Sequence, residues 1–292
     1  MPTNFELRMK MRKIIRPNLQ VLLLIALIAA LPGLIAGVAT VLTGSDLMSH
    51  LLAQNIDTSA TTEQLFAAIQ SYASGRLWGS FALTILQALV TPVLTLGLIT
   101  AMLTLLRGGT VEVTTAFSRL SVFGRSVLLM LLLFLKLILW ALPGTAVMTL
   151  SMFLGENGAM LCFTVGSLLM LALLITAAYR YAMAYFFLAD QPKNSALACI
   201  RKSKAVMKNR KLQLFSLELP YLAGNYIAST LISLLFTGVI GTTLSMVVEL
   251  IFTVYLYGAR SAFFEAYSHA GGSPSPAPES DPYHSEMKDD LN

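Results

Sequence analysis

Long, uncharged apolar runs alternate with short basic segments along this chain. The runs cover about 21–42, 77–106, 160–188, 214–239 and 244–264, and a further run begins at Ser126. An α-helix of about 20 apolar residues crosses about 30 Å of hydrocarbon. The pattern therefore predicts an all-α, polytopic transmembrane helical bundle of about six spans, with cytoplasmic amphipathic helices beside it.

Prolines leave two span boundaries open. Pro92 interrupts the second run and predicts a kink or a division there. The third run meets Pro143 and Gly144, where it kinks, ends early or dips back into the membrane. Between the first two runs lies a polar segment, 44–76, in which Thr61 and Gln64 have capping-box spacing. This spacing predicts a short helix on the far surface of the membrane.

Composition supports an integral membrane protein. Hydrophobic residues make up 56% of the 292 residues and charged residues 12%, against about a quarter charged in soluble proteins. We expect one helical membrane domain, 1–267, which begins with a basic amphipathic segment, 1–17. The remaining residues, 268–292, are rich in proline, serine and acid, which predicts a disordered cytoplasmic tail.

The distribution of lysine and arginine predicts the topology. Nearly all of them lie in the N-terminal segment and in the loops after the second and fourth runs, while the other connections carry only Arg76. Positively charged loops stay in the cytoplasm. Both termini are therefore predicted to be cytoplasmic. Nucleic-acid binding is not indicated, because these cations lie beside apolar spans and form no soluble basic patch.

The segment 192–211 reads as a basic amphipathic helix. At about 100° per residue, one side of the helix is apolar or small: Ala196, Cys199, Ile200, Ser203, Val206 and Met207. We expect this side to face the inner surface of the membrane. Asp190 and Pro192 precede the pattern and are predicted to cap the helix, because an acid and a proline suit a helix N-terminus.

Six cations of the same segment are candidate contacts for anionic phospholipid headgroups. They are Arg201, Lys202, Lys204, Lys208, Arg210 and Lys211. Each basic residue near an anionic leaflet is worth about 1 kcal/mol. Two interpretations stay open: the cations bind lipid or another anion, or they only set the topology.

Charges inside the apolar runs are candidates for ion pairs. Each charge at the centre of a span costs at least about 2.5 kcal/mol, so it favours a partner or water. Their depths suggest two pairs: Lys136 with Glu249, and Arg180 with Glu218. Such pairs either lock helices together or line a polar cavity that carries a proton, an ion or a solute.

Signals for catalysis and for cofactors are poor. The histidines lie in a loop and in the tail, and Cys162 and Cys199 have no metal or redox spacing. The stretch "RGGT" lacks the P-loop lysine and reads as a helix end. We predict no catalytic residue, no metal site and no cofactor.

Four segments resemble those of a known family, catalogued as domain of unknown function 975. In order they are "LGLITAMLTLLRGG" with "AFSRLSVFGRS", "LWALPG", "YRYAMAYFFLADQPKNSALACIRKSKAVMKNRKLQLF" and "YLYGARSAFFEAY". The third is the most specific, since it holds Ala-Asp-x-Pro and the Ser-Lys and Met-Lys pairs. The resemblance implies a polytopic, six-span protein of the bacterial cell membrane and no established activity.

Together these patterns favour a non-enzymatic membrane protein. We expect a membrane-organising, accessory or regulatory component that contacts the lipid bilayer and its anionic headgroups and has a membrane-protein partner. The alternative is a small-solute or ion transporter or channel that uses the charges within its spans. A membrane enzyme acting on lipid is less favoured, because a catalytic constellation is missing.

Overall fold

The described part of the chain is helical. The computed structural model describes residues 3–53, 62–236 and 238–268, and within these ranges there are eight α-helices and no strand. The helices are α1 (Asn4–Ala53), α2 (Thr62–Leu106), α3 (Phe123–Leu150), α4 (Glu156–Tyr181), α5 (Ala184–Asp190), α6 (Ala196–Val206), α7 (Lys211–Leu235) and α8 (Gly238–Ser268). The predicted all-α polytopic class is confirmed. The predicted tail lies outside the described residues apart from Ser268.

Five described helical segments are long and apolar enough to cross a membrane. They are Asn4–Ala36, Ala82–Leu106, Val113–Phe153, Gly158–Asp190 and Ile240–Ser268. The fifth predicted span corresponds to α7, which is not among them. This helix has 25 residues, or about 37 Å at 1.5 Å per residue. Its length suffices, but Glu218, Pro220 and Asn225 make it less apolar than the others.

Two helices are longer than their apolar patterns predicted. Helix α2 begins at Thr62 and continues to Leu106 through Pro92, so the predicted short surface helix and the second span are one element. Helix α3 likewise runs through Pro143 and ends at Leu150. A proline in a transmembrane helix removes one backbone hydrogen bond, and packed neighbours hold the flanking turns in helical geometry. Of the alternatives that these prolines left open, a division at Pro92 and an early end at Pro143 are therefore excluded.

The helices pack in two groups. Helix α1 packs on α2 and α8, and α8 also packs on α7, whereas α3 packs chiefly on α4. Close approaches occur in both groups. A Cβ atom on Gly97 of α2 would lie 2.1 Å from the carbonyl oxygen of Ala116, and one on Gly144 of α3 would lie 2.4 Å from the Cβ atom of Met170 in α4. Glycine at these positions is what lets the backbones meet.

Local signals explain where α2 and α6 end and begin. Gly108 has φ +83°, and the amide of Gly109 donates to the carbonyl of Thr104, which closes α2 in a Schellman motif. The "RGGT" stretch is thus a helix end, as predicted. Helix α6 is capped by Ser195, whose hydroxyl accepts from the amide of Ala198 at 3.3 Å. Asn209, with φ 63°, turns the chain toward α7.

Candidate functional site

The basic segments of the chain meet at one end of the bundle. Asn4 in α1 donates to the carbonyl of Gln213 at 3.2 Å, and Arg8 donates to the carbonyl of Leu217 at 3.3 Å. Gln213 in turn donates to the hydroxyl of Tyr267 at 2.6 Å. The start of α1, the start of α7 and the end of α8 are therefore joined directly. We call this region, with the end of α2 and with α5 and α6, the basic end.

Arg107 connects three helices at the basic end. Its guanidinium lies 2.7 Å from the carboxylate of Asp190 and 3.0 Å from that of Glu265. Burial lowers the pKa of Arg107, but the hydrogen bonds that it donates to Glu265 and Asp190 outweigh this effect and raise its pKa above the ordinary value. The cation thus ties the end of α2 to the ends of α5 and α8.

The predicted cap of the basic helix is wrong. Asp190 is the last residue of α5, where the negative end of the helix dipole disfavours a carboxylate, and the ion pair with Arg107 offsets that repulsion. Pro192 lies in the connection to α6, and its carbonyl accepts a hydrogen bond from Arg125. The capping role belongs instead to Ser195, because α6 begins four residues later than Pro192.

A buried carboxylate joins α4, α7 and α8. Glu218 is 0% exposed, and Arg260 binds it through two hydrogen bonds, of 2.7 and 3.0 Å. The hydroxyl of Tyr179 donates a third, of 3.1 Å. A bidentate pair of this kind is strong and directional. Removing one partner would leave the other charge buried alone, so the cluster locks the three helices.

The predicted pairing of Arg180 with Glu218 is corrected by this geometry. Glu218 pairs with Arg260, whereas the guanidinium of Arg180 lies 5.7 Å from the centre of the Trp140 ring. Tyr179 and Arg180 are neighbours, and successive helix residues point about 100° apart. Tyr179 faces Glu218, so Arg180 is turned toward α3. Depth in the membrane alone did not distinguish Arg180 from Arg260.

Ser203 performs a role that the sequence pattern missed. It is 0% exposed and lies beside the break between α4 and α5. Its hydroxyl donates to the carbonyl of Arg180 at 3.1 Å and accepts from the amide of Met183 at 3.2 Å. Both backbone groups lose their helical partners at the break, so Ser203 satisfies them. The available signal was a hydroxyl on the apolar side of a helical wheel.

The apolar side of α6 is buried in the protein. All six residues predicted to form that side are buried, and α6 packs against α5, α3 and α4. The expectation that this side faces lipid is therefore wrong, because neighbouring helices supply the apolar surface first. Cys199 belongs to this side. Burial raises the pKa of its thiol, which keeps it protonated and unreactive.

The six candidate headgroup contacts divide into two sets. Arg201, Lys204 and Lys208 are exposed. Lys202, Arg210 and Lys211 are half-buried: Lys202 donates to Gln191 at 2.7 Å, and Arg210 lies 4.7 Å from the centre of the Tyr267 ring. We call the exposed set, Arg201, Lys204 and Lys208, the α6 platform.

Lys136 and Glu249 are not brought together. Within the described ranges, neither side chain takes part in a salt bridge. Lys136 lies on α3, which packs chiefly on α4, while Glu249 lies on α8, which packs on α7, α1 and α2. The predicted pair is thus corrected: the two residues belong to different helix groups, although their depths along the spans are similar.

Glu249 instead lines a cavity between α1, α2 and α8. The cavity has a volume of about 380 Å³, and Thr95, Thr253 and Tyr257 share its wall with the carboxylate. A second cavity, of about 450 Å³, is also lined by Thr95 and Tyr257 and reaches Gln87 and Tyr185. The membrane-spanning part of the bundle therefore contains a polar region beside Glu249.

Among the described residues, no cluster of three or more histidine, cysteine, aspartate or glutamate side chains has the geometry to hold a metal ion. Cys162 and Cys199 are both free thiols.

Comparison with protein families gives one match. The model of the family described as "Protein of unknown function (DUF975)" matches residues 1–270. Neither a curated protein nor a solved structure matches the chain. The family match agrees with the resemblance found in the sequence, and it spans the whole helical region that the structure describes.

Proposed function

We propose that this chain, which belongs to the DUF975 family, is a non-enzymatic, multi-pass protein of the bacterial plasma membrane whose α6 platform binds anionic phospholipid headgroups. In this proposal both termini are cytoplasmic. The protein acts as a membrane-organising, accessory or regulatory component, and it works with a membrane-protein partner.

The α6 platform is the observation that carries the proposal. Arg201, Lys204 and Lys208 are exposed, while Cys199, Ile200 and the rest of the opposite side of α6 are buried against other helices. Since α6 is packed against other helices, the backbone positions from which Arg201 and Lys204 project are set before any lipid binds. Preorganisation of this kind lowers the entropy cost of binding.

The position of the platform favours lipid over a soluble anion. Helix α6 lies directly between two long apolar segments, Gly158–Asp190 and α7, so its cations stand close to the depth at which a span meets the headgroups. The positive-inside rule assigns such basic connections to the cytoplasmic leaflet, which carries the anionic lipids of the membrane.

Removal of the platform charges tests the proposal. The triple variant Arg201→Gln, Lys204→Gln, Lys208→Gln loses three cations, each worth about 1 kcal/mol near an anionic surface. We expect phosphatidylglycerol to bind about a hundredfold more weakly to this variant. Native mass spectrometry of the full chain in mixed micelles, titrated with phosphatidylglycerol or phosphatidylcholine, measures the difference.

A matched variant removes the same charge elsewhere. Lys10, Arg12 and Lys13 are exposed on α1, and their change to glutamine lowers the net charge equally. The proposal requires a larger loss of phosphatidylglycerol binding from the α6 variant than from the α1 variant. Equal losses would mean that only total charge matters, and no loss from the α6 variant would refute the platform.

The cavity beside Glu249 favours a second candidate function, a small-solute transporter. The exposed carboxylate of Glu249 lies in the wall of a cavity between three helices of the bundle, and intramembrane acids commonly mark solute or proton paths. This candidate predicts solute flux in proteoliposomes that Glu249→Gln abolishes. The accessory role predicts no flux and co-purification with a membrane-protein partner.

A further inference from the structure

The cavity between α1, α2 and α8 has the size and the walls of a small-molecule site. Its volume of about 380 Å³ falls in the range of about 300–1,000 Å³ that such sites occupy. The space is left by small side chains of α1 in the cavity wall, which are Ala26, Ala29, Ala30 and Gly33. Leu34, Leu98 and Leu250 give the wall a mainly apolar character.

The polar groups of the cavity lie together on one side. Glu249, Thr253 and Tyr257 follow one another at intervals of four residues, so they share a face of α8. Thr95 joins them from α2. Its hydroxyl already donates to the carbonyl of Thr91 at 2.8 Å, so its oxygen is left to accept. The cavity therefore offers a carboxylate and hydroxyl oxygens to a positively charged or hydrogen-bond-donating group.

The net charge of the described cavity wall is negative. Among the described lining residues, Glu249 is the one carboxylate and none is a lysine or an arginine. Arg260, on the same face of α8, is 11 residues further along, or about 16 Å at 1.5 Å per residue. Glu218 holds that guanidinium through two hydrogen bonds. Arg260 therefore does not neutralise Glu249.

These features select one class of ligand. An anion would meet the charge of Glu249 without a compensating cation. Ca²⁺ takes six to eight oxygen ligands, whereas four described side chains of this wall carry oxygen, and the described residues hold no group of three or more histidine, cysteine, aspartate or glutamate side chains that could bind a metal ion. A cation with apolar substituents satisfies both the carboxylate and the apolar surface. We infer that the cavity binds a small organic cation, an ammonium group carrying apolar substituents, with Glu249 as its counter-charge.

This inference deepens the second candidate function and rests on the same cavity, but equilibrium binding does not require transport. It is independent of the α6 platform, which shares no residue with the cavity. Binding and flux are measured separately, so that saturable binding without flux refutes transport and supports the inference.

A pair of matched ligands tests the role of charge. Benzyltrimethylammonium and neopentylbenzene have the same shape, and a carbon in the second replaces the nitrogen of the first. With the purified full chain in nanodiscs, we expect saturable binding of radiolabelled benzyltrimethylammonium and at least about tenfold weaker competition by neopentylbenzene. A tenfold difference in the dissociation constant corresponds to about 1.4 kcal/mol of binding free energy. Absence of saturable binding, or equal competition by the two compounds, overturns the inference.

Two variants locate the binding site. Glu249→Gln should weaken benzyltrimethylammonium binding by at least about tenfold and should leave neopentylbenzene unaffected. Ala30→Leu fills the cavity without changing its charge, and it should abolish binding of both compounds. The second variant keeps the test informative if the first does not fold.

A matched control removes a carboxylate outside the cavity. Glu112 is exposed in the connection after α2, and Glu112→Gln should bind the cation as the unaltered protein does. Full binding by Glu249→Gln, or full binding by Ala30→Leu, would place the ligand elsewhere and overturn the inference.

Discussion

Helices α2 and α4 have nearly the same hydropathy but opposite environments. The segments Ala82–Leu106 and Gly158–Asp190 have mean hydropathies of 2.1 and 2.3. In the apolar 18-residue stretch of each segment, however, 61% of the residues of the first are buried in the protein and only 6% of those of the second. Helix α3 resembles α4, since 11% of the apolar 18-residue stretch in Val113–Phe153 is buried in the protein. The apolar segment of α2 is thus mostly enclosed by the protein, while the α3–α4 hairpin exposes most of its apolar surface.

The difference lies in what surrounds the apolar residues. At the basic end, polar contacts of three side chains connect the helices. Arg107 joins the end of α2 to α5 and α8, Arg260 joins α8 to α7, and Ser203 joins α6 to the break between α4 and α5. The hairpin is held mainly by packing of α3 on α4, and its tip leaves Met152 82% and Phe153 86% exposed. In a membrane, helices gain no hydrophobic energy by leaving lipid for one another, so hydrogen bonds and close backbone contact decide which of them are buried.

Substitution of one arginine in each region tests the comparison most directly. Arg260→Ala at the basic end leaves the carboxylate of Glu218 buried without a partner, which should lower the free energy of unfolding by about 3–5 kcal/mol. Arg180→Ala in the hairpin removes only the contact with Trp140, worth about 0.5–1 kcal/mol. Reversible unfolding in mixed detergent micelles measures both. Equal effects would contradict the assignment of Arg260, rather than Arg180, to Glu218.

Two leucines sharpen the comparison in purely apolar terms. Leu96 in α2 is 0% exposed and Leu168 in α4 is 62% exposed. Leu96→Ala should cost about 2–5 kcal/mol, because it leaves a cavity among packed side chains. Leu168→Ala should change stability by no more than about 0.5 kcal/mol, because lipid fills the space. The same unfolding measurement decides, and a large effect at Leu168 would mean that a protein surface covers the hairpin.

Ser203 gives the smallest expected effect. Ser203→Ala leaves the carbonyl of Arg180 and the amide of Met183 without partners, at a cost of about 1–3 kcal/mol. Ser261 is a matched control, since it is equally buried but donates only to the carbonyl of Tyr257 in its own helix. Ser261→Ala should cost less than about 1 kcal/mol. Hydrogen exchange at Met183 would rise in the first variant alone.

The helical class could be predicted from the sequence because long apolar runs have few alternatives in a membrane. The buried side of α6 was also identified by helical periodicity, since every residue placed on it is buried. What that side contacts was not predictable. A helical wheel shows which residues share a face, but lipid and neighbouring helices are both apolar, so the wheel does not distinguish them.

The candidate sites were less predictable than the helices. Glu218 was correctly singled out as a buried charge, but its partner was assigned from depth alone, and depth did not distinguish Arg180 from Arg260. The predicted ion pair between Lys136 and Glu249 was wrong for a related reason, since similar depth does not make two helices neighbours. The role of Asp190 was predicted from a local capping rule, whereas in the structure Asp190 forms a long-range ion pair with Arg107.

The contacts of α8 have a consequence for assembly of the protein during synthesis. Arg260 and Glu265 lie in α8, and they supply the partners of Glu218 and, together with Asp190, of Arg107. A ribosome completes α2 and α7 before either partner exists. The growing chain therefore carries an unneutralised Glu218 until α8 is made, and only insertion of α8 joins the separate helices through these ion pairs.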